Sequence, residues 1–325
     1  MATSVGLGGL DHPVETAPVG SSSFLFVTLD SCRYDTFTAA RLPNISRVGR
    51  THRTFAPGNF TFSSHAAMFM GFTPGDPSVE VAYVNPKYGK IFRVGRAASK
   101  GKAPAFLSLT GRNLVHGMKR HGYRTIGTGA ASWFDPTQET SQVLVGDFDR
   151  FFYPGDTFSL ERQLRFIDDQ LSRYGGSPVF VFLNVGETHV PYFFRGAPWD
   201  PYPSPCVPFG VANDADASRE RQRACVEFVD NRLGPLLDRF SEANIIVCAD
   251  HGDAWGEDDL WEHGIHHPKV LEVPLVFRLA HRPSPTMGLP GRAAALPGLI
   301  RATLRRLRQR IGRSPGRQPH FCVDR

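Results

Sequence analysis

With 325 residues, 41% of them hydrophobic and 21% charged, the chain can bury a large core and has the composition of a soluble globular protein. No apolar run reaches the roughly 20 residues that cross a bilayer. The opening residues also lack the basic and apolar regions of a secretory leader, so a cytoplasmic protein with a flexible tail over residues 1–20 is expected. The net charge of +6 is unevenly placed: no Asp or Glu occurs from Val81 to Phe134, a stretch that includes Lys87 and Lys90, and Arg301 to Arg317 is rich in Arg. Such a distribution is either a solvated basic face or an attractor of a small anionic substrate. No recognisable nucleic-acid module accompanies it, which argues against nucleic acid as the partner.

The first predicted element is a strand, Phe24 to Leu29, an apolar run that ends at Asp30. A short helix over Ser46–Val48 follows Leu42-Pro43-Asn44. Asn59 to Gly71 reads as a loop opening into a compact apolar helix that stops at Gly71, with Ser63 and Ser64 suited to its N-cap. Residues 76–104, rich in Gly, Pro, Lys and Arg, form an exposed excursion or lid. Leu107, Leu114, Val115 and Met118 share one face of a helix over Leu107–His121. A strand begins at Tyr123, an amphipathic helix spans Phe158–Tyr174, and Pro178–Val185 is a strongly apolar strand. After a Pro-rich loop over 196–214, a long helix covers Ala217–Phe240. The strand Asn244–Ala249 ends in Asp250-His251-Gly252, and Val273–Phe277 is the last strand. Leu296–Ile311 has the pattern of a basic amphipathic helix.

Alternation of strands and helices predicts an α/β fold with a mainly parallel central sheet sandwiched by helices. The expected organisation is one domain over residues 21–280, flanked by the tail and by a basic C-terminal extension over 281–325. Five widely spaced cysteines without a CxxC pair argue against a disulfide framework; Cys206 with Cys225 is the one pairing that merits a test.

In open α/β sheets, sites form where the carboxyl ends of strands converge. Two such ends would bring Asp30, Asp250 and His251 together. Singly, each has a dull explanation, since an Asp after a strand often caps a helix and a lone His is often structural. Adjacent oxygen and nitrogen ligands on one turn nevertheless suit Zn²⁺ or Mn²⁺. His263, His266 and His267 follow closely. The loop before the Ala66–Met70 run offers a hydroxyl as a further ligand, and a hydroxyl on a cation is a potent nucleophile at neutral pH.

At these residues the chain resembles the alkaline phosphatase superfamily in its sulfatase-like branch. Leu29-Asp30-Ser31-Cys32-Arg33-Tyr34-Asp35 resembles the opening motif of that branch. Phe60 to Gly71 resembles its nucleophile segment, and Thr188-His189-Val190-Pro191-Tyr192 its central histidine motif. Ala249 to Asp253 resembles the Asp-His-Gly motif, and Leu260–His263 with Val270–Leu275 the closing one. Five motifs in order cover about residues 24–278.

The resemblance implies that Asp30, Thr61, Asp250 and His251 hold one divalent metal, Zn²⁺ or Mn²⁺ in preference to Ca²⁺ or Mg²⁺. Thr61 would be the nucleophile. His189 and His263 would contact the transferred group, protonate the leaving group or bind a second metal, for which Glu187 could stand in as a ligand. Ser31, His65, Lys87 and Lys90 are the expected substrate contacts, and Arg33 with Asp35 a salt bridge behind the site.

Departures from the family pattern narrow the chemistry. Sulfatases of this branch use a Cys or Ser that becomes formylglycine, and Thr61 cannot give that aldehyde. Their Lys and His after the "G-Y-x-T" strand are also missing, since Gly122-Tyr123-Arg124-Thr125 is followed by Gly129-Ala130-Ala131-Ser132. The expectation is therefore a metal-dependent hydrolase or transferase acting on a phosphomonoester, phosphodiester or phosphonate ester through Thr61. Two alternatives stand beside it: a sulfatase-like biosynthetic enzyme acting on a sulfate ester or another bond, and a non-catalytic anion- or nucleic-acid-binding relative. Nothing in the sequence sets the oligomeric state.

Overall fold

In the computed structural model the described residues are 19–71 apart from 21, 92–94, 107–109, and 113–280 apart from 174, 175, 209 and 211. The expected excursion over 76–104, apart from residues 92–94, lies outside the described residues. So do Lys87, Lys90, the C-terminal helix and the tail up to residue 18. Val19, placed in that tail by the sequence, donates its N–H to the Arg239 carbonyl at 2.9 Å.

The strands are β1 (Phe24–Leu29), β2 (His52–Phe55), β3 (Phe92–Val94), β4 (Leu107–Leu109), β5 (Arg124–Gly129), β6 (Arg150–Phe152), β7 (Val179–Val185), β8 (Asn244–Ala249), β9 (Ala254–Trp255), β10 (Trp261–Glu262) and β11 (Glu272–Arg278). The helices are α1 (Tyr34–Ala39), α2 (Thr61–Met70), α3 (Leu114–Arg120), α4 (Gln142–Val145), α5 (Leu160–Arg173), α6 (Ala215–Arg239) and α7 (Pro268–Leu271).

Seven strands form one sheet in the order β2-β11-β8-β1-β7-β5-β6. Pairs among β8, β1, β7, β5 and β6 are parallel, and β11 runs antiparallel to both β8 and β2. The mainly parallel α/β expectation therefore holds, with an antiparallel margin. Period-two alternation sorts the two faces. Leu25, Val27 and Leu29 of β1 and Val179, Val181, Leu183 and Val185 of β7 point into an aliphatic layer shared with α5 and α6. Phe26, Phe180 and Phe182 point the other way, into an aromatic layer with Phe62, Phe69, Phe134 and Phe148. Burying each such side chain stabilises the fold by about 1.5–3 kcal/mol relative to leaving it exposed.

Two local expectations change. Ser63 and Ser64 do not cap α2: the helix starts earlier, at Thr61, with Phe60 at the N-cap and no side-chain cap. Ser63 Oγ instead donates to the Phe60 carbonyl at 2.9 Å, and Ser64 Oγ to the Asp250 carbonyl at 2.6 Å. The helix expected from Leu107 begins only at Leu114, where the Asn113 side chain accepts from His116 N; Leu107 belongs to a short antiparallel ladder with β3. Cys206 and Cys225 are buried free thiols. The helix ending at Gly71 does so in the left-handed region, φ 67°, where glycine is favoured.

Candidate active site

The parallel register pairs Leu29 with Ala249, so the residues just past β1 and β8, Asp30 and Asp250, emerge side by side. Backbone geometry fixes them there. Asp30 donates its N–H to the Val185 carbonyl at 3.0 Å. Asp250 Oδ1 accepts from Ser31 N at 3.2 Å and from His251 N at 2.9 Å. Ser31 adopts φ 58°, a left-handed conformation rare outside glycine and concentrated at functional sites. One side chain of α6 ties the loops together: Gln222 Nε2 donates to the Ser31 and Thr188 carbonyls, and Gln222 Oε1 accepts from Arg33 N.

Thr61 is the first residue of α2, and its Oγ1 lies 3.3 Å from Asp30 Oδ1 and 3.3 Å from His251 Nε2. His251 Nε2 lies 3.5 Å from Asp30 Oδ1 and 3.7 Å from Asp250 Oδ2. His251 Nδ1 sits 3.0 Å from the Gly252 carbonyl, which can only accept, so Nδ1 carries the hydrogen and Nε2 presents a lone pair to the site. Asp30, Thr61, Asp250 and His251 are all buried. The sequence expectation thus brought together four residues that the fold also brings together.

Two atoms stand out in this group. Asp30 Oδ2 and Asp250 Oδ2 are buried and have no hydrogen-bond partner. Burial, and then the neighbouring Asp30, push the Asp250 carboxyl well above the usual range. Two adjacent buried carboxylates with an orphan oxygen each call for a cation. The side-chain spacings of 3.3–3.7 Å match the about 3.4 Å between ligands expected around a tetrahedral ion with bonds near 2.1 Å. An O, O, O, N donor set fits a divalent cation of the zinc or manganese type.

A second group adjoins the first. His263 Nδ1 lies 2.8 Å from Asp253 Oδ1, and the His263 ring packs 4.4 Å from that of His251 and 5.1 Å from that of His189. Burial lowers the His263 pKa, but the hydrogen bond and charge of Asp253, with Asp30 and Glu262, more than offset it and hold the imidazole at about 9. His189 Nδ1 contacts the Val190 carbonyl at 2.7 Å, which leaves Nε2 free. Asp253 was not picked out in the sequence. Its signal was there, a third acidic or imidazole side chain in the Asp250–Asp253 run, but nothing local showed that it meets His263. His251, Asp253 and His263 have ligand atoms all within 4.8 Å of one another.

Other expected contacts fall elsewhere. His65 is fully buried behind Thr61, one turn along α2, with Nδ1 2.8 Å from the Thr61 carbonyl and Nε2 2.9 Å from Thr28 Oγ1. Its ring is packed edge-on against Phe69, Phe134 and Phe182. Burial lowers its pKa to about 4, so it is a neutral brace for the Thr61 turn and is enclosed on all sides. Ser31 is likewise enclosed, with its hydroxyl 3.5 Å from His251 Nδ1. Glu187 does not reach the histidines: Glu187 Oε1 accepts from Leu160 N at 2.8 Å, at the start of α5. Arg33 bonds Asp35 through Nε at 2.9 Å and Nη2 at 2.6 Å, and Glu257 through Nη1 at 2.8 Å.

Comparison with solved structures places this arrangement in a known class of fold. Phosphonate monoester hydrolase of Agrobacterium radiobacter aligns with a TM-score of 0.56 at 15% identity, over 79% of this chain and 68% of that one. The C-terminal periplasmic domain of phosphoethanolamine transferase EptC from Campylobacter jejuni aligns at 0.53 and 13%, over 80% of each chain. The C-terminal periplasmic domain of EcEptC from Escherichia coli, in complex with Zn, aligns at 0.52 and 11%, over 82% of this chain and 74% of that one. The chain therefore has the alkaline phosphatase/sulfatase-like fold. No family model and no curated protein sequence matches it. No helix among the described residues is long and apolar enough to cross a membrane.

Proposed function

We propose that the chain is a metal-dependent enzyme of phosphoryl transfer, a hydrolase or transferase of a phosphomonoester, phosphodiester or phosphonate ester, with Thr61 as nucleophile. The observation that carries this reading is the Thr61 hydroxyl. It stands at the first turn of α2, 3.3 Å from both Asp30 and His251, beside two buried carboxylate oxygens that lack a partner. The relatives' names point the same way, one being a phosphonate monoester hydrolase and one the periplasmic domain of a phosphoethanolamine transferase.

Asp30, Thr61, Asp250 and His251 would hold the cation, which lowers the pKa of a hydroxyl and screens charge on non-bridging oxygens. The protein's own groups do the rest. Thr61 Oγ1, its proton released to solvent, attacks phosphorus in line, and the bond to the leaving oxygen breaks. Free N–H groups of the first turn of α2 face the oxygens of the transferred group. His263, held protonated by Asp253, gives its proton to the leaving oxygen, with His189 alongside. Water or an acceptor hydroxyl, its proton taken by the now neutral His263, then attacks the phospho-threonine, and the bond from phosphorus to Thr61 Oγ1 breaks.

The test is turnover of a panel of phosphate monoesters, diesters, phosphonate esters and sulfate esters. Thr61→Ala is expected to lower turnover by roughly a thousandfold or more while leaving the chain folded. Near-normal rates in that variant would remove the nucleophile from the scheme. A preference for sulfate esters would redirect the substrate class.

A further inference from the structure

A chain of three buried side chains stands behind His263, and none of them faces the reacting atoms. Trp255 Nε1 donates to Tyr192 Oη at 2.7 Å, and Tyr192 Oη donates to Asp253 Oδ2 at 2.6 Å. Asp253 Oδ1 meets His263 Nδ1 at 2.8 Å. Tyr192, Asp253 and Trp255 are almost completely enclosed.

The direction of every bond in the chain is fixed by chemistry. An indole nitrogen only donates, so the Tyr192 oxygen accepts from it and must spend its single hydrogen on Asp253. The ionised carboxylate only accepts, so His263 Nδ1 must carry a hydrogen, and its Nε2 is the atom turned to the site. Both oxygens of Asp253 are engaged, one by Tyr192 and one by His263, so the carboxylate cannot swing. The far end is clamped as well. The Arg33 guanidinium lies 4.1 Å over the Trp255 ring, and Arg33 Nη1 donates to the Asp253 carbonyl at 3.2 Å. Tyr192 meets Trp255 edge-on with ring centroids 5.7 Å apart. Tyr192 holds this place at φ 57°, a conformation bulky residues rarely adopt.

We infer that Tyr192, backed by Trp255, is a positioning residue that aims His263 Nε2 at the leaving group through Asp253. The inference rests on the proposed role of His263 as proton donor. It also gives the opening-motif residue Arg33 a task, because Arg33 steadies the far end of the same chain.

The experiment is a double-mutant cycle on the full chain, with the proton resonance of the His263 Nδ1–H as a readout that needs no substrate. The resonance is assigned by its loss in His263→Ala. Tyr192→Phe removes one hydroxyl and keeps the ring. It is expected to lower kcat by about tenfold with KM and metal content unchanged, and to move the His263 resonance. In a His263→Ala background the same substitution is expected to change kcat by less than about twofold. Trp255→Phe should reproduce the shift in smaller measure and stands in if Tyr192→Phe does not fold. Equal losses in the wild-type and His263→Ala backgrounds, or an unmoved resonance in both variants, would overturn the inference. If no phosphoester is turned over at all, the proposed function fails, while the resonance still decides whether Tyr192 orients His263.

Discussion

At the scale of single residues, Glu187 shows how burial sets a charge state. Burial raises its carboxyl to about 7, against a smaller downward pull from the N–H of Leu160. Glu187 Oε2 has no partner. The folded state therefore holds a proton that the unfolded chain, with a Glu pKa near 4.5, gives up earlier. Its stabilising contribution is complete below about 4.5 and is lost as pH rises through about 7. Glu187→Gln keeps the acceptor for Leu160 and removes the ionisation. Its stability, read from urea midpoints, should fall less between pH 5 and 8 than that of the wild type, by on the order of 3 kcal/mol. Parallel pH slopes for the two proteins would show that Glu187 is already ionised in the fold.

At the scale of elements, the placement of α2 decides where Thr61, the proposed nucleophile, sits. Gly58 lies against its first turn: a Cβ there would stand 2.2 Å from Ser63 Oγ, 2.7 Å from Ser64 N and 2.9 Å from Ser63 C. Two of those atoms are helix backbone and cannot rotate away. Gly58→Ala should therefore push the Thr61 turn off its register, destabilise by about 1–3 kcal/mol and lower kcat. Gly117→Ala is the control, because nothing lies within 4 Å of a Cβ there and the site is helical. That variant should be neutral or more stable by about 0.5–1 kcal/mol. Equal effects of the two substitutions, measured by thermal melting and turnover, would contradict the close-approach argument.

The same element shows what the sequence could and could not reveal. Asp30, Asp250 and His251 were legible because each follows a strongly apolar strand, and a strand end is a local signal. Thr61 was legible through the segment around it. For His65, support of the Thr61 loop was legible in the sequence, but its enclosure was not, because that depends on which face of α2 meets the sheet; it lies one turn from Thr61 on the face packed against Phe182. Leu107 and Leu114 share a helical face by spacing alone, yet Asn113 starts the helix and leaves Leu107 in a ladder. Asp253 meets Tyr192 across a separation of 61 residues, and no short-range pattern encodes that contact.

At the scale of the whole molecule, the cation would be a structural tie as well as a reagent. It would join β1, α2 and β8 where, among the described residues, two neighbouring buried carboxylates each have an oxygen without a partner. Removal of the metal should therefore lower the melting temperature. A ligand present at a thousandfold excess over its Kd stabilises the native state by about 4 kcal/mol. Asp250→Asn should bind less metal by elemental analysis, and its melting should respond little to a chelator. Wild-type melting that ignores both chelator and added Zn²⁺ or Mn²⁺ would argue against a tightly held ion.

The sheet order has a consequence for how the chain is made. β1 begins at Phe24, yet its two neighbours in the sheet, β7 and β8, begin at Val179 and Asn244. Contacts this distant in sequence form late and slowly. Asp30 is synthesised before Asp250 and His251, so a nascent chain stopped before β8 has Asp30 and Thr61 but lacks the other half of the candidate site. The candidate site comes together only once β8 has paired with β1.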